Sequence, residues 1–229
     1  MTDRLLDPRH LRILNWNIAK GLHSGWRQDL ERLSHNVDLA LIQEARLEDN
    51  LPELLEGYSW AFAPGFQTRR LTSGVLTLCR AQTLCHLPHR HREPLIRTPK
   101  AALITEYQLL DTEQTLKVAN IHAINFAPGT RHFQTQLETV YHALKDHGGP
   151  LIVSGDFNTW RPQRQAVLSA LAEALHLRDL PYQEDCRRQA FGQALDHILY
   201  RGLEYVSCRV SPVASSDHNP IRATLSLAA

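Results

Sequence analysis

The chain has 229 residues, 43% hydrophobic and 21% charged, an ordinary globular composition that excludes an intrinsically disordered protein. A formal net charge of +1 excludes the marked basic excess of proteins that coat long nucleic acid, although a local basic strip fits inside a neutral total. No stretch approaches the ~20 apolar residues of a spanning helix, and Met1-Thr-Asp-Arg opens a polar segment without a signal-peptide core, so the expectation is a cytoplasmic monomer without stable membrane insertion.

The first predicted strand, Leu11–Ile18, runs into Asn15-Trp16-Asn17. A helix over Trp26–Ser34 precedes a second strand, Asp38–Gln43, that ends on Gln43-Glu44. Strands follow at Gly74–Cys79, Ala101–Leu109 and Leu116–Ile124. In the last of these, alternation puts Val118, Asn120 and His122 on one face, so His122 is not simply another apolar core position. His86, His89 and His91 read as solvated loop residues, and the aromatics from Phe62 to Phe66 form a short stretch suited to the core. Helix Arg131–Lys145 carries Phe133, Leu137, Val140, Tyr141 and Leu144 as an apolar stripe. Strand Leu151–Ser154 leads into Gly155-Asp156-Phe157-Asn158, and helix Pro162–Ala174 opens on a first-turn proline. Strands Leu195–Tyr200, Tyr205–Val210 and Ile221–Ser226 close the chain. With no repeat, low-complexity tract or Gly/Ser linker, residues 1–229 read as one domain, and interleaved strands and helices point to layered α/β architecture. Cys79, Cys85, Cys186 and Cys208 form no CxxC pair and are expected as reduced thiols.

Several of these strands deliver polar side chains at their ends. Asp156 and Asn158 are two apart, so an extended backbone points both to one side, where they can hold a water and a phosphate oxygen. The ordinary structural reading is an Asx-rich turn. Asp217-His218 precedes the last strand and suits a metal carboxylate beside an acid/base imidazole, but thirteen histidines make any one of them more often a packing residue. Asp196 lies in an otherwise apolar strand, and a buried carboxylate needs a partner, for which a histidine from elsewhere is the natural candidate. Around these positions stand Lys20, Arg69, Arg70, Arg131, Trp160 and Arg161. Arg69, Arg70 and Arg131 suit flanking phosphates, and Trp160 suits stacking on a base or sugar. Solvated loop arginines and a helix-capping tryptophan are equally good accounts.

Trp16-Asn17-Ile18, Gln43-Glu44, Asn120-Ile121-His122, Gly155-Asp156-Phe157-Asn158, Leu195-Asp196-His197-Ile198 and Ser216-Asp217-His218 resemble, in order, the successive motifs of the endonuclease/exonuclease/phosphatase superfamily. The resemblance implies a DNase I-like four-layer α/β sandwich: two packed, mixed and mostly antiparallel sheets flanked by helices, with the site at one end. It implies Glu44 as principal ligand of Mg²⁺ or Mn²⁺, with Asn17 and Asp217 near it. Asp156 would orient or deprotonate the attacking water, Asn158 would hold a phosphate oxygen, and His218, with Asp196 behind it, would stabilise the developing charge or protonate the leaving oxygen. His122 would donate to the phosphate. The oxygen donors suit Mg²⁺, and there is neither a Cys/His cluster of zinc spacing nor a GxxxxGK[ST] loop. Two departures stand out. Thr72-Ser73-Gly74 offers no carboxylate where DNase-like members place an acid behind the histidine, and there is no long apolar hairpin of the sphingomyelinase kind. The implied partner is a phosphoester substrate: nucleic acid, phospholipid or inositol phosphate, among which a shared fold does not select. A catalytically silent phosphate-binding domain is the alternative, disfavoured because Glu44, Asp156 and His218 are all present.

Overall fold

The computed structural model describes residues 5–47, 57–94 and 98–228, so the Met1 to Arg4 start lies outside the described residues. In chain order the elements are β1 (Leu11–Asn17), α1 (Trp26–Ser34), β2 (Leu39–Arg46), β3 (Ser59–Gln67), β4 (Thr72–Cys79), β5 (Thr83–Arg92), β6 (Pro99–Gln108) and β7 (Thr115–His122). They continue with α2 (Arg131–Leu144), β8 (Leu151–Asp156), α3 (Pro162–Ala174), β9 (Arg178–Asp179), β10 (Gln189–Ala190), β11 (Gln193–Ala194), β12 (Asp196–Arg201), β13 (Leu203–Val210) and β14 (Ile221–Leu227).

Parallel neighbours need a crossover connection, and two such units organise the molecule. β1 pairs parallel with β2 across α1, and β7 pairs parallel with β8 across α2. Antiparallel strands extend each pair into a six-stranded sheet, ordered β13-β14-β1-β2-β4-β3 and β5-β6-β7-β8-β12-β9. Between the sheets Leu11, Ile13, Leu39 and Leu41 meet Val118, Ile152, Ile198 and Tyr200. On the outer faces Leu14, Trp16, Ala40 and Ile42 lie under Leu30 and Leu33 of α1, and Ala119, Ile121 and Val153 lie under Phe133 and Val140 of α2 and Leu168 of α3. Each such aliphatic side chain contributes about 1.5–3 kcal/mol on burial. The four layers are those the resemblance implied.

The period-two alternation that buries these residues also aims the polar ones. On β1 the inward series Leu11, Ile13 continues to Asn15 and Asn17; on β7 Val118 continues to Asn120 and His122; on β8 Ile152 continues to Ser154 and Asp156. The carboxyl ends of both parallel pairs therefore present polar side chains to the gap between the sheets. Beneath them Gln43 Nε2 donates to Asn15 Oδ1 (2.9 Å) and Asn120 Oδ1 (2.8 Å), a buried network that ties one sheet to the other. Gly155 is required: its φ is +149°, and a Cβ there would stand 1.9 Å from the Ile121 carbonyl oxygen. Only a glycine lets β8 lie against β7 with Asp156 opposite His122.

Some expectations are corrected. β3 and β5 are strands, and His86, His89 and His91 belong to β5 rather than to a loop. Both are edge strands, where a proline such as Pro88 is tolerated; β5 stays largely exposed and β3 buries only the small residues Ala61, Ala63 and Gly65, so neither shows an alternation of large apolar side chains. β7 stops at His122 instead of Ile124, and β8 extends to Asp156. No helix among the described residues is long and apolar enough to cross a membrane, and all four cysteines are free.

Candidate active site

Glu44 reaches the cleft by a defect in its strand. Alternation alone would send it after Ala40 and Ile42 onto the outer face under α1. Instead the β2/β4 register shifts between Ile42 and Ala45, and Glu44 takes φ +55°, so Ala45 occupies the outer position. A left-handed glutamate is strained, and such residues persist where the surrounding structure over-determines them. Lys20, itself at φ +58° in the turn after β1, brings Nζ to 3.4 Å from Glu44 Oε2.

Asn17 donates from Nδ2 to Asp156 Oδ2 at 3.0 Å, joining the ends of β1 and β8. Asn158 is not in an extended backbone, as the two-residue spacing suggested. It adopts φ +52°, its N–H donates to Asp156 Oδ1 (3.0 Å), and its side-chain amide donates to the Ala123 carbonyl (3.1 Å). The Ser215 to Asn219 loop is held against β1: Ser216 Oγ donates to the Asn17 carbonyl (2.6 Å) and Trp16 Nε1 to that of His218 (3.0 Å). His218 then lies between two carboxylates, with Nδ1 2.7 Å from Asp196 Oδ2 and Nε2 3.8 Å from Asp156 Oδ2. Burial alone lowers the imidazole's pKa, but Asp196 and Asp156 outweigh it and raise the group to about 10. Burial pushes Asp156 up to about 6 despite the opposing pull of His218.

His122 differs from expectation. Its Nε2 is 2.5 Å from Lys100 Nζ and 3.6 Å from both Glu44 Oε1 and Asp156 Oδ2. Burial, then the Lys100 charge, holds its pKa well below the usual histidine value. A neutral imidazole whose Nε2 accepts from an ammonium has no proton there to donate, and Lys100 presents the N–H groups instead. Sequence reasoning missed Lys100, which lies at the foot of a strand read as beginning at Ala101, where a lysine is ordinarily a solvated terminus. Two more buried charges were missed. Arg164 donates to the carbonyls of Asn158 (2.6 Å) and Ile124, and Glu93 Oε1 accepts from the N–H of Asn125 (2.6 Å). Together they clamp the loops after β7 and β8.

Asn17, Glu44, His122, Asp156, Asn158, Asp217 and His218 line one cleft of about 580 Å³, with Lys20 and Lys100, while Asp196 stands behind His218. Trp160 reaches its rim through a 2.8 Å hydrogen bond to Asn125. Arg69, Arg70 and Arg131 are exposed and do not line it.

Oxygen donors from Glu44, Asn17 and Asp217 fit a hard divalent ion, with no cysteine in the cleft lining. Asp156, Asp196 and His218 also bring potential ligand atoms within 4.8 Å of one another. In that trio Asp196 Oδ2 and His218 Nδ1 are already engaged with each other in a 2.7 Å hydrogen bond.

The sequence profile of the Endonuclease/Exonuclease/phosphatase family matches residues 14–218. A UPF0294 protein of Photorhabdus laumondii is 38% identical over 225 residues, 96% of this chain and 85% of that one. A UPF0294 protein of Yersinia pestis is 38% identical over 216 residues, 92% and 82% of the two chains. Among solved structures, the human Nocturnin catalytic domain with bound sulfate anion aligns with a TM-score of 0.75 at 19% identity, over 99% of this chain and 98% of that one. An endonuclease/exonuclease/phosphatase from Beutenbergia cavernae also gives 0.75, at 18% identity over 96% and 72%. The structures share the DNase I-like fold, and the profile match over most of the chain establishes that the chain belongs to the endonuclease/exonuclease/phosphatase family, a superfamily of metal-dependent phosphoester hydrolases.

Proposed function

We propose that this chain is a phosphodiesterase acting on nucleic acid, dependent on Mg²⁺ or Mn²⁺. The observation that carries the reading is the pairing across the cleft: an imidazole held by Asp196 faces the buried carboxylate of Asp156 at 3.8 Å, an acid and a base poised on one small volume. Glu44, with Asn17 and Asp217, would hold the ion, which when bound withdraws charge from the phosphoryl oxygens.

Asp156 accepts the proton of a water as the water oxygen attacks phosphorus. Asn17, which donates to the other lone pairs of Asp156 Oδ2, keeps that carboxylate turned into the cleft. Lys100 and the remaining amide N–H of Asn158 neutralise the non-bridging oxygens as charge builds on them. As the bond from phosphorus to the leaving oxygen breaks, His218 Nε2 gives that oxygen a proton, and Asp196 steadies the imidazole throughout. His122 accepts from Lys100 and so fixes where its ammonium points.

The test is a Mg²⁺/Mn²⁺ panel on plasmid, single-stranded DNA, RNA, phospholipid vesicles and an inositol phosphate. Hydrolysis of a polynucleotide, stopped by EDTA and lowered ~10²–10⁴-fold by His218→Ala, is expected. Hydrolysis of only the lipid or the monoester overturns the substrate class, and activity untouched by His218→Ala overturns the mechanism.

A further inference from the structure

Beside the cleft the chain holds an aromatic ring in the open at a conformational cost. Phe191 is 87% exposed and forms the tip of the β10/β11 hairpin with φ +51°, followed by Gly192 at φ +76°. Two positive φ values are what a two-residue hairpin turn of this hand demands, and Asn, Asp or Gly normally takes the first position. A bulky residue at φ > 0 is an outlier. Its ring lies against Trp160, with centroids 6.0 Å apart and planes tilted by 51°. Trp160 is anchored to the cleft by its bond to Asn125, and Phe126, 54% exposed, lines the cleft next to Asn125. The Arg161 guanidinium stands 4.3 Å from the Trp160 ring centre.

The surroundings decide what such rings meet. A membrane-inserting tip needs contiguous apolar surface. Here the hairpin strands are Gln-Ala and Gln-Ala, preceded by exposed Arg188, with Arg161 exposed alongside. Exposed rings at Phe191 and Phe126, beside a half-buried Trp160 that carries the Arg161 guanidinium over its face, adjoin the proposed phosphate-handling cleft and match a nucleotide with its base unstacked and its flanking phosphate nearby.

Building on the phosphodiesterase reading, we propose that Trp160 and Phe191, with Phe126 at the inner edge, are a stacking platform for an unpaired base adjacent to the phosphate in the cleft. The preferred substrate is then single-stranded polynucleotide, bound with little preference for base identity because every base has a π face.

The experiment measures equilibrium binding, in EDTA so that nothing is cleaved, of a short single-stranded oligonucleotide containing 2-aminopurine. Phe191→Ala is expected to weaken binding about 10-fold and Phe191→Tyr to restore it, within the range that losing one stacked base covers. Phe191→Gly, which relieves the backbone strain, should show the same loss as alanine. An oligonucleotide carrying abasic analogues should bind the native protein about as weakly as Phe191→Ala binds the intact one. Equal binding of intact and abasic strands, or no effect of Phe191→Ala, overturns the platform. So does binding of phosphatidylcholine vesicles that depends on Phe191 while the oligonucleotide is ignored. The phosphodiesterase reading is scored separately, by whether the native protein and Phe191→Ala hydrolyse any diester with Mg²⁺ or Mn²⁺: base-dependent binding without hydrolysis sinks that reading alone, and hydrolysis with binding indifferent to Phe191 sinks the platform alone.

Discussion

Replacing Asp196 by asparagine removes one charge from behind the cleft at nearly constant volume. In the native protein His218 Nδ1 is 2.7 Å from Asp196 Oδ2, and Asp196 Oδ1 has no hydrogen-bond partner among the described residues, so the pair is the carboxylate's principal support. Burial disfavours the imidazolium, yet the two carboxylates raise its pKa to about 10. In the proposed mechanism His218 acts in its protonated form, so activity that depends on it persists up to the folded pKa and is lost as pH rises through that value. If the variant's imidazole returns to the ordinary value near 6.5, its protonated fraction at pH 8 falls from about 99% to about 3%, a ~30-fold loss, while at pH 6 it stays near ~75%. Asp196 is also one of the charges that raise Asp156 to about 6, so the variant's acid-side limb moves as well, and His218 is read from the alkaline side, where Asp156 is ionised in both proteins. The assay is kcat for diester hydrolysis at saturating metal from pH 5.5 to 9, with a thermal melt at each pH. Near-parity at pH 6 opening to a ~30-fold deficit at pH 8 is expected. A ratio constant with pH, or a deficit that tracks a collapse in melting temperature, would refute the acid role.

Three further outcomes follow from the geometry. Glu44→Gln should raise the Mg²⁺ concentration needed for half-maximal activity by more than the ~10–100-fold that loss of an outer-shell partner costs, read by metal titration after EDTA treatment; an unchanged titration places the ion elsewhere. Lys100→Met should lower kcat by ~10²–10³-fold with little change in KM, as loss of an oxyanion donor does, and should not lower the melting temperature, since a buried charge is removed; a large KM effect alone would make Lys100 a ground-state binder. A thiol reagent should count four cysteines in denaturant, but in the native protein it should leave Cys79 unreacted, because that side chain is buried and its thiol is pushed up to about 12; fewer than four in denaturant would reveal a disulfide.

Much of this molecule is local in origin. Strands that alternate Leu11, Ile13 and Val118 inward announce the two-sheet core because burying one face is a property of spacing two residues apart. The ends of α1 and α3 were predicted to the residue, since Trp26 to Ser34 carries its own periodicity and α3 opens on a first-turn proline. The same alternation continued past the apolar run brings Asn17, His122 and Asp156 to one gap, so these members of the candidate site were readable once each strand was recognised. β3 and β5 escaped because β5 is largely exposed and β3 buries only the small residues Ala61, Ala63 and Gly65, whereas burial of large apolar side chains is what a sequence advertises.

What the amino-acid sequence determined by itself was which side chains stand at the ends of buried strands, because periodicity is written residue by residue. What only the tertiary structure decided was how those ends are used. Glu44 enters the cleft through a register shift against β4, Asn158 turns left-handed to hand its N–H to Asp156, and Lys100 brings its Nζ to 2.5 Å from His122 Nε2. Each of these depends on a partner many residues away, on burial that sets which group keeps its proton, and on strain that is tolerated only because the packed sheets hold it in place.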